Sequence, residues 1–206
     1  MSINKEKILA IVPARKGSKR LPDKNIKELY GKPLVSYTID EALKSKYIDK
    51  IVVNTNDKRI IDILEKYKEY KTKKIIIINR PDDLAKDDVP TQPVLVHTLK
   101  SLNHKFKTIV ILQVTSPLRT VEDIDNCINI FIKEKSSSLM TVKEIDPFNI
   151  FVPNGAIFIT SDKLILKKNR FKTKDPRLVV MPAERSVDID TEVDFLHAKA
   201  ILGMKK

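Results

Sequence analysis

Residues 8–26 read ILAIVPARKGSKRLPDKNI: an apolar run, Ile8 to Ala14, passes directly into a loop bearing Arg15, Lys16, Lys19, Arg20 and Lys24. Cations gathered where a buried strand ends imply an anion held there. Gly17 and Ser18 let the backbone turn tightly and offer N–H groups, so the loop can wrap a triphosphate while its side chains neutralise the charge. The stretch contains neither GxxxxGK[ST] nor GxGxxG, which removes the main sequence support for a P-loop ATPase or a dinucleotide-binding fold. A solvated basic turn is the plainer reading, but five cations between positions 15 and 24, directly after a strand, argue against it.

Outward from this segment, three more runs, IDKIVVNT (48–55), KKIIIIN (73–79) and TIVILQVT (108–115), are apolar on consecutive positions and rich in Ile and Val. Strands buried on both faces of a parallel sheet have this composition. Helical spacing lies between them, over Pro33 to Lys46, Arg59 to Tyr70, Thr91 to Leu102 and Val121 to Lys135, the last opening on Thr120 with Asp123 as the acid of a capping box. Alternation of this kind predicts a doubly wound α/β domain whose ligand crevice lies at the carboxyl ends of the strands. Beyond Lys135, SSLMTVKEI (137–145), NIFVPNGAIFIT (149–160) and RLVVMPA (177–183) read as further strands of the same sheet. The middle one is interrupted at Pro153, Asn154 and Gly155, and a last helix runs from Thr191 to Leu202.

A chain of 206 residues with 42% hydrophobic content can bury a full core as one domain. The net charge of +12 would suit a nucleic-acid binder, yet Lys is spread through almost every segment, and the seven Phe and five Tyr do not interleave with basic residues as base stacking requires. The charge therefore favours anionic small substrates, with no nucleic-acid partner. Cys127 is the single cysteine, so neither a disulfide nor a cysteine metal site forms within one chain, which fits a reducing cytosol. No apolar run has the length of a signal h-region or a membrane span.

The residues after each strand carry the chemistry this crevice needs. Asn56 and Asp57 follow the second strand, Arg80 and the acidic run Asp82, Asp83, Asp87, Asp88 follow the third, and Gln113, Thr115, Ser116 and Arg119 surround the end of the fourth. Gln113 has both a donor and an acceptor, which suits reading the edge of a base. The run from Asp82 to Asp88 reads as a solvated turn. In ERSVDIDTEVD (184–194), Asp188 and Asp190 sit two apart, so in an extended segment both carboxylates point to one side and can share a hard divalent cation such as Mg²⁺, whose shell is completed by water and phosphate oxygens. Alternatively Asp190 or Thr191 caps the last helix.

PARKGSKRLPDKN, NRPDDLAKDD, LQVTSPLRT, PNGAIFI and SVDIDTEVDF, in this order, resemble the cytidylyltransferases that activate nonulosonic acid sugars, the CMP-sialic acid synthetases. The resemblance covers nearly the whole chain. It implies a Rossmann-like nucleotidyltransferase fold, a three-layer α/β/α arrangement around a mostly parallel sheet. It also implies an enzyme that joins CTP to an acidic nine-carbon sugar with Mg²⁺ as cofactor, releasing pyrophosphate. By match, Arg15, Gly17, Ser18, Lys19, Lys24 and Asn25 take the triphosphate, and Arg80 and Thr91 the nucleotide. Gln113, Thr115, Ser116 and Asn154 meet the sugar, and Asp188 and Asp190 hold the metal. Lys24 and Asp190 are then the catalytic pair, and His97, His104 and His197, on or near helices, take no nucleophilic or basic role. Where the family inserts a segment that forms much of its dimer contact, this chain passes almost directly from Ile145 to Asn154, Val152 stands where an Arg commonly precedes the PNGA motif, and Val114 replaces the Pro after the Gln. The shortened segment leaves a homodimer contact to residues such as Leu139, Ile150 and Phe151. It leaves the sugar open among sialic, legionaminic and pseudaminic acids, and motivates as the alternative a nucleotide-binding protein with weak or no turnover.

Overall fold

The computed structural model describes residues 7–102 and 106–204; His104 lies outside them. Alternating elements follow one another from β1 (Ile8–Pro13) through a small hairpin, β2 (Glu28–Leu29) and β3 (Lys32–Pro33), to α1 (Leu34–Lys44) and β4 (Lys50–Thr55). Next come α2 (Lys58–Leu64), α3 (Lys68–Lys71), β5 (Ile75–Asn79), α4 (Thr91–Lys100), β6 (Thr108–Leu112) and α5 (Val121–Lys133). The chain then forms β7 (Ser138–Ile145), β8 (Ile150–Ser161), α6 (Asp162–Lys168), β9 (Arg177–Val180) and α7 (Glu192–Gly203). Seven strands form one sheet in the order β5-β4-β1-β6-β8-β7-β9. Only β8 runs against the others, pairing antiparallel with both β6 and β7. The three strands after Lys135 thus join the same sheet as the first four.

Consecutive apolar residues are explained by two cores, one on each face. Ile8, Ala10 and Val12 of β1 point into a cluster with Leu34, Ile39, Ile124, Ile128 and Phe195 from α1, α5 and α7. Leu9 and Ile11 point the other way, toward Leu95 of α4 and Ile165 of α6. Helices therefore cover both faces, as in the three-layer arrangement implied by the sequence. From β1 the chain winds outward through β4 to β5, then returns to β6 on the opposite side of β1. The order reverses between β1 and β6, which places the crevice at the loops after Pro13 and Leu112.

Three local expectations are corrected. The helix expected from Arg59 to Tyr70 is two short helices, because Tyr67 takes an extended backbone (φ −75°, ψ 132°) and its hydroxyl donates to Asp40 at 2.8 Å. The strand expected to break at Pro153 to Gly155 is continuous but bulged: Met140 pairs with Phe158, whereas Val142 pairs with Pro153, leaving residues 154–157 opposite Thr141. Leu139 is 1% exposed in the core and is unavailable to a partner, whereas Phe148, Ile150 and Phe151 at the β7–β8 turn are exposed. The capping box of α5 forms as expected, with Thr120 and Asp123 each accepting from the other's backbone N–H. Cys127, on the inner face of α5, is buried, and burial pushes its thiol up to about 12, so it is a packing residue without nucleophilic character. Among the described residues no helix is long and apolar enough to cross a membrane.

Candidate active site

A cavity of about 360 Å³ opens at the carboxyl ends of β1 and β6. From the loop after β1 it is lined by Arg15, Gly17, Ser18, Lys24 and Asn25, and from around β5 and α4 by Arg80 and Thr91. Gln113 and Thr115 enter from the end of β6, and Asp188 and Asp190 from the segment before α7. A contiguous smaller cavity is lined by Lys19 and Arg20 together with Arg15, Lys24 and Asp190. The cationic loop and the paired acids, more than 160 residues apart in sequence, therefore converge.

Local chemistry shapes the loop. Gly17 takes φ +70°, a conformation that glycine adopts without the steric cost of a Cβ. Asn25 donates its side-chain amide to the Arg15 carbonyl at 2.9 Å, and Asn56 accepts from the Lys16 N–H at 2.8 Å, so the loop is closed by side chains at both sides. Arg59 ties it further, binding Asp23 with one edge of its guanidinium while meeting Asp57, the N-cap of α2, with the other. Asn56 and Asp57, expected only as strand-end residues, hold the loop in place.

The acidic segment is equally fixed. Val187 and Ile189 are buried, and the Ile189 N–H donates to the Thr115 carbonyl at 2.8 Å, so the intervening Asp188 and the following Asp190 turn toward the cavity. Thr191 is the N-cap of α7, in a capping box with Asp194, which leaves the Asp190 carboxylate free of that duty. Asp190 instead accepts from Lys24 Nζ and from Arg20 Nη2, each at 2.8 Å. The Lys24 side chain is 12% exposed, so this charge pair is held mostly away from solvent on the cationic side. Asp188 is accessible from the cavity, yet desolvation by the protein around it pushes its carboxyl above the usual carboxylate range, a lowering hydrogen bond with Thr115 opposes this, and Asp190 adds a smaller raising effect.

Two expected sugar contacts are not in the cavity. Asn154 is 3% exposed and spends its side chain inside the fold: its carbonyl accepts from Thr141 Oγ1 at 2.7 Å and from the Ala156 N–H at 3.1 Å, and its amide donates to Ser186 Oγ at 3.0 Å. That network clamps the β8 bulge. Ser116 is 1% exposed behind the end of β6. Asp87, expected in a solvated turn, pairs with Arg15 and stands 3.6 Å from Lys19.

Other contributors were given no specific role by the sequence. Gly155, at the bulge, lines the cavity with φ +73°, and a Cβ there would stand 3.2 Å from Asp188 Oδ2, so its bareness is what lets Asp188 seat. Phe158 and Phe171 meet edge to face, ring centroids 5.4 Å apart, and with Val89 and Val94 give the cavity an apolar side. Asn54 is wholly buried and accepts from Arg80 Nε at 2.7 Å, while its own amide donates to Thr98. Burial, then the nearby Arg15, lowers the Arg80 guanidinium to about 10. Arg119, fully buried and likewise lowered to about 10 by burial, donates to the carbonyls of Gln113 (3.1 Å) and Ala156 (2.8 Å) and so locks the end of β6 to the bulge of β8.

A Mg²⁺ ion fits this donor set in the way expected of a cation shared with substrate. Asp188 and Asp190 bring two carboxylates to the cavity, a donor type that suits a hard divalent cation, and among the described residues no group of three or more His, Cys, Asp or Glu side chains that could hold a metal ion occurs.

Residues 9–178 match the family model described as Cytidylyltransferase. The chain is 33% identical to an N-acylneuraminate cytidylyltransferase of Streptococcus agalactiae, over 93% of this chain but 52% of that protein, so it spans about half the length of that relative. It is 31% identical to a CMP-N,N'-diacetyllegionaminic acid synthase of Legionella pneumophila, over 97% of this chain and 98% of that one. It is 35% identical to a pseudaminic acid cytidylyltransferase of Campylobacter jejuni, over 95% and 96%. Among solved structures, a CMP:2-keto-3-deoxy-manno-octonic acid synthetase complexed with CTP superposes with a TM-score of 0.75 over 97% of this chain and all of that one at 15% identity, a likeness of fold. With the family match spanning most of the sequence and two relatives above 30% identity aligned nearly end to end, the chain belongs to the cytidylyltransferase family.

Proposed function

We propose that this protein transfers the cytidylyl group of CTP to an acidic nonulosonic sugar, giving the CMP-sugar and pyrophosphate. The observation that carries the reading is the meeting of the Arg15–Lys24 loop with Asp188 and Asp190 in one cavity at the sheet's switch point. Arg15, Lys19 and Lys24, with the N–H groups around Gly17, hold the triphosphate. Arg80 and Thr91 face the nucleotide, and Gln113 and Thr115 face the sugar. The anomeric hydroxyl attacks the α-phosphorus, a new P–O bond forms as the bond to the bridging oxygen breaks, and the pair of electrons leaves with pyrophosphate. Lys24 neutralises charge on the departing phosphates, and Asp190 helps take the hydroxyl proton. When bound to Asp188 and Asp190, Mg²⁺ supplies charge stabilisation at the phosphates. Legionaminic and pseudaminic acids stand beside sialic acid as candidate sugars, in keeping with the relatives' names.

The test is pyrophosphate release by the protein with CTP, Mg²⁺ and a panel of these three acids. Release with at least one sugar is expected. CTP binding with no release from any of them would instead support a nucleotide-binding protein without turnover.

A second copy of the chain is the proposed protein partner. Phe148 is 70% exposed, and Ile150 and Phe151 about half, so the β7–β8 turn presents an apolar tip that water disfavours. Phe148→Asp is expected to convert a dimer to a monomer by sedimentation; a wild-type chain already monomeric at tens of micromolar would refute the contact.

A further inference from the structure

The segment after β5 folds back over the cationic loop. Asn56, which accepts from the Lys16 N–H, donates to Asp82 at 3.3 Å, and Arg15 donates to the Ala85 carbonyl at 3.4 Å. Asp87 completes the strap, one oxygen paired with Arg15 and the other 3.6 Å from Lys19 Nζ. Two cations assigned above to the triphosphate are thus held by a carboxylate of the same chain. Asp87 shares the smaller cavity with Ser18, Lys24 and Asp190, so the carboxylate stands where a phosphate reaching Arg15 and Lys19 would have to come. Neither pair is sealed from water: the Asp87 side chain is 30% exposed, Arg15 27% and Lys19 84%, so exchange of partners is open. Arg15 and then Lys19 hold the Asp87 carboxyl below its usual range, as expected of an ion pair kept formed at neutral pH. A phosphate brings more charge and more acceptor oxygens to the same donors than a carboxylate does.

We propose that Asp87 is a built-in counter-ion of the triphosphate site, holding Arg15 and Lys19 in position before CTP arrives and surrendering them to its phosphates. The inference rests on reading the Arg15–Lys24 loop as that site. Its consequence is that Asp87 sets affinity: each phosphate ligand must displace it, so it weakens CTP binding and hastens the departure of pyrophosphate. Val89 and Thr91, on the same strap and the helix it leads into, line the main cavity, so the exchange occurs beside the nucleotide position.

Calorimetric titration of the full chain with pyrophosphate and with CTP, in Mg²⁺ at fixed salt, tests this. Asp87→Asn is expected to bind both about fivefold more tightly, the worth of one part-exposed ion pair, and to release pyrophosphate more slowly in stopped flow. Asp88→Asn makes the same charge change at the exposed neighbour and is expected to alter either affinity less than about twofold. Equal effects of the two variants would reduce Asp87 to background charge and overturn the proposal, as would weaker binding by Asp87→Asn, which would make it a ligand of the substrate's cation. Unchanged affinity in Asp87→Asn, with wild-type protein binding both ligands, would overturn the counter-ion alone. A wild-type protein that binds neither CTP nor pyrophosphate would overturn the triphosphate reading beneath it.

Discussion

Asp190→Asn is expected to lower the rate of CMP-sugar formation about a thousandfold, close to 4 kcal/mol of transition-state stabilisation, while the protein stays folded. The carboxylate brings what an amide lacks: full negative charge for the proposed cation and for the proton of the attacking hydroxyl, and two accepting oxygens that hold Arg20 and Lys24 at 2.8 Å, where an amide has one. Stability should change by about 1 kcal/mol or less, because Asp190 is 35% exposed and part-exposed ion pairs contribute little. The helix start does not depend on it, since Thr191 and Asp194 form the capping box of α7. Pyrophosphate release and a thermal melt on the same sample separate the two roles. A variant that loses melting temperature but keeps turnover would show a structural carboxylate and end the catalytic assignment.

Gly155→Val is expected to cost about a hundredfold in kcat/KM and about 2 kcal/mol of stability, read as a melting point lower by about 4–8 °C. The backbone at this position has φ +73°, which a β-branched residue adopts only under strain. The first added carbon would also lie 3.2 Å from Asp188 Oδ2, so either the bulge or the carboxylate must move. Displacing Asp188 separates it from Asp190, and the loss should appear in activity beyond what the melting shift explains. Full turnover in Gly155→Val would mean that the seat of Asp188 has no bearing on the chemistry.

How far each element could be read in advance follows from where its determinants lie. Four strands of the main sheet were legible because both faces of β1, β4 and β6 are buried and β5 packs partly buried residues on each, which writes the apolar run into consecutive residues. Caps were legible because Thr120 and Asp123 satisfy donors only three residues away. The break before α3 was not, since Tyr67 leaves the helix to reach Asp40, 27 positions earlier. Asn154 was assigned to the sugar through the PNGAIFI resemblance, whereas Thr141 and Ser186, on other segments, take up its side chain. Asp87 looked solvated for the same reason: the cations it meets lie about seventy residues back.

The charged residues, the long strands of the main sheet and the cationic loop after the first of them were readable along the chain, because these depend on side-chain type and on neighbours within a turn or two; the β2–β3 hairpin was not. That Lys24 meets Asp190, that Gly155 leaves room for Asp188 and that Asp87 closes on Arg15 came from the folded arrangement. Those outcomes depend on sheet order and on the register across the β8 bulge, where long-range packing brings distant carboxylates and cations within hydrogen-bonding reach.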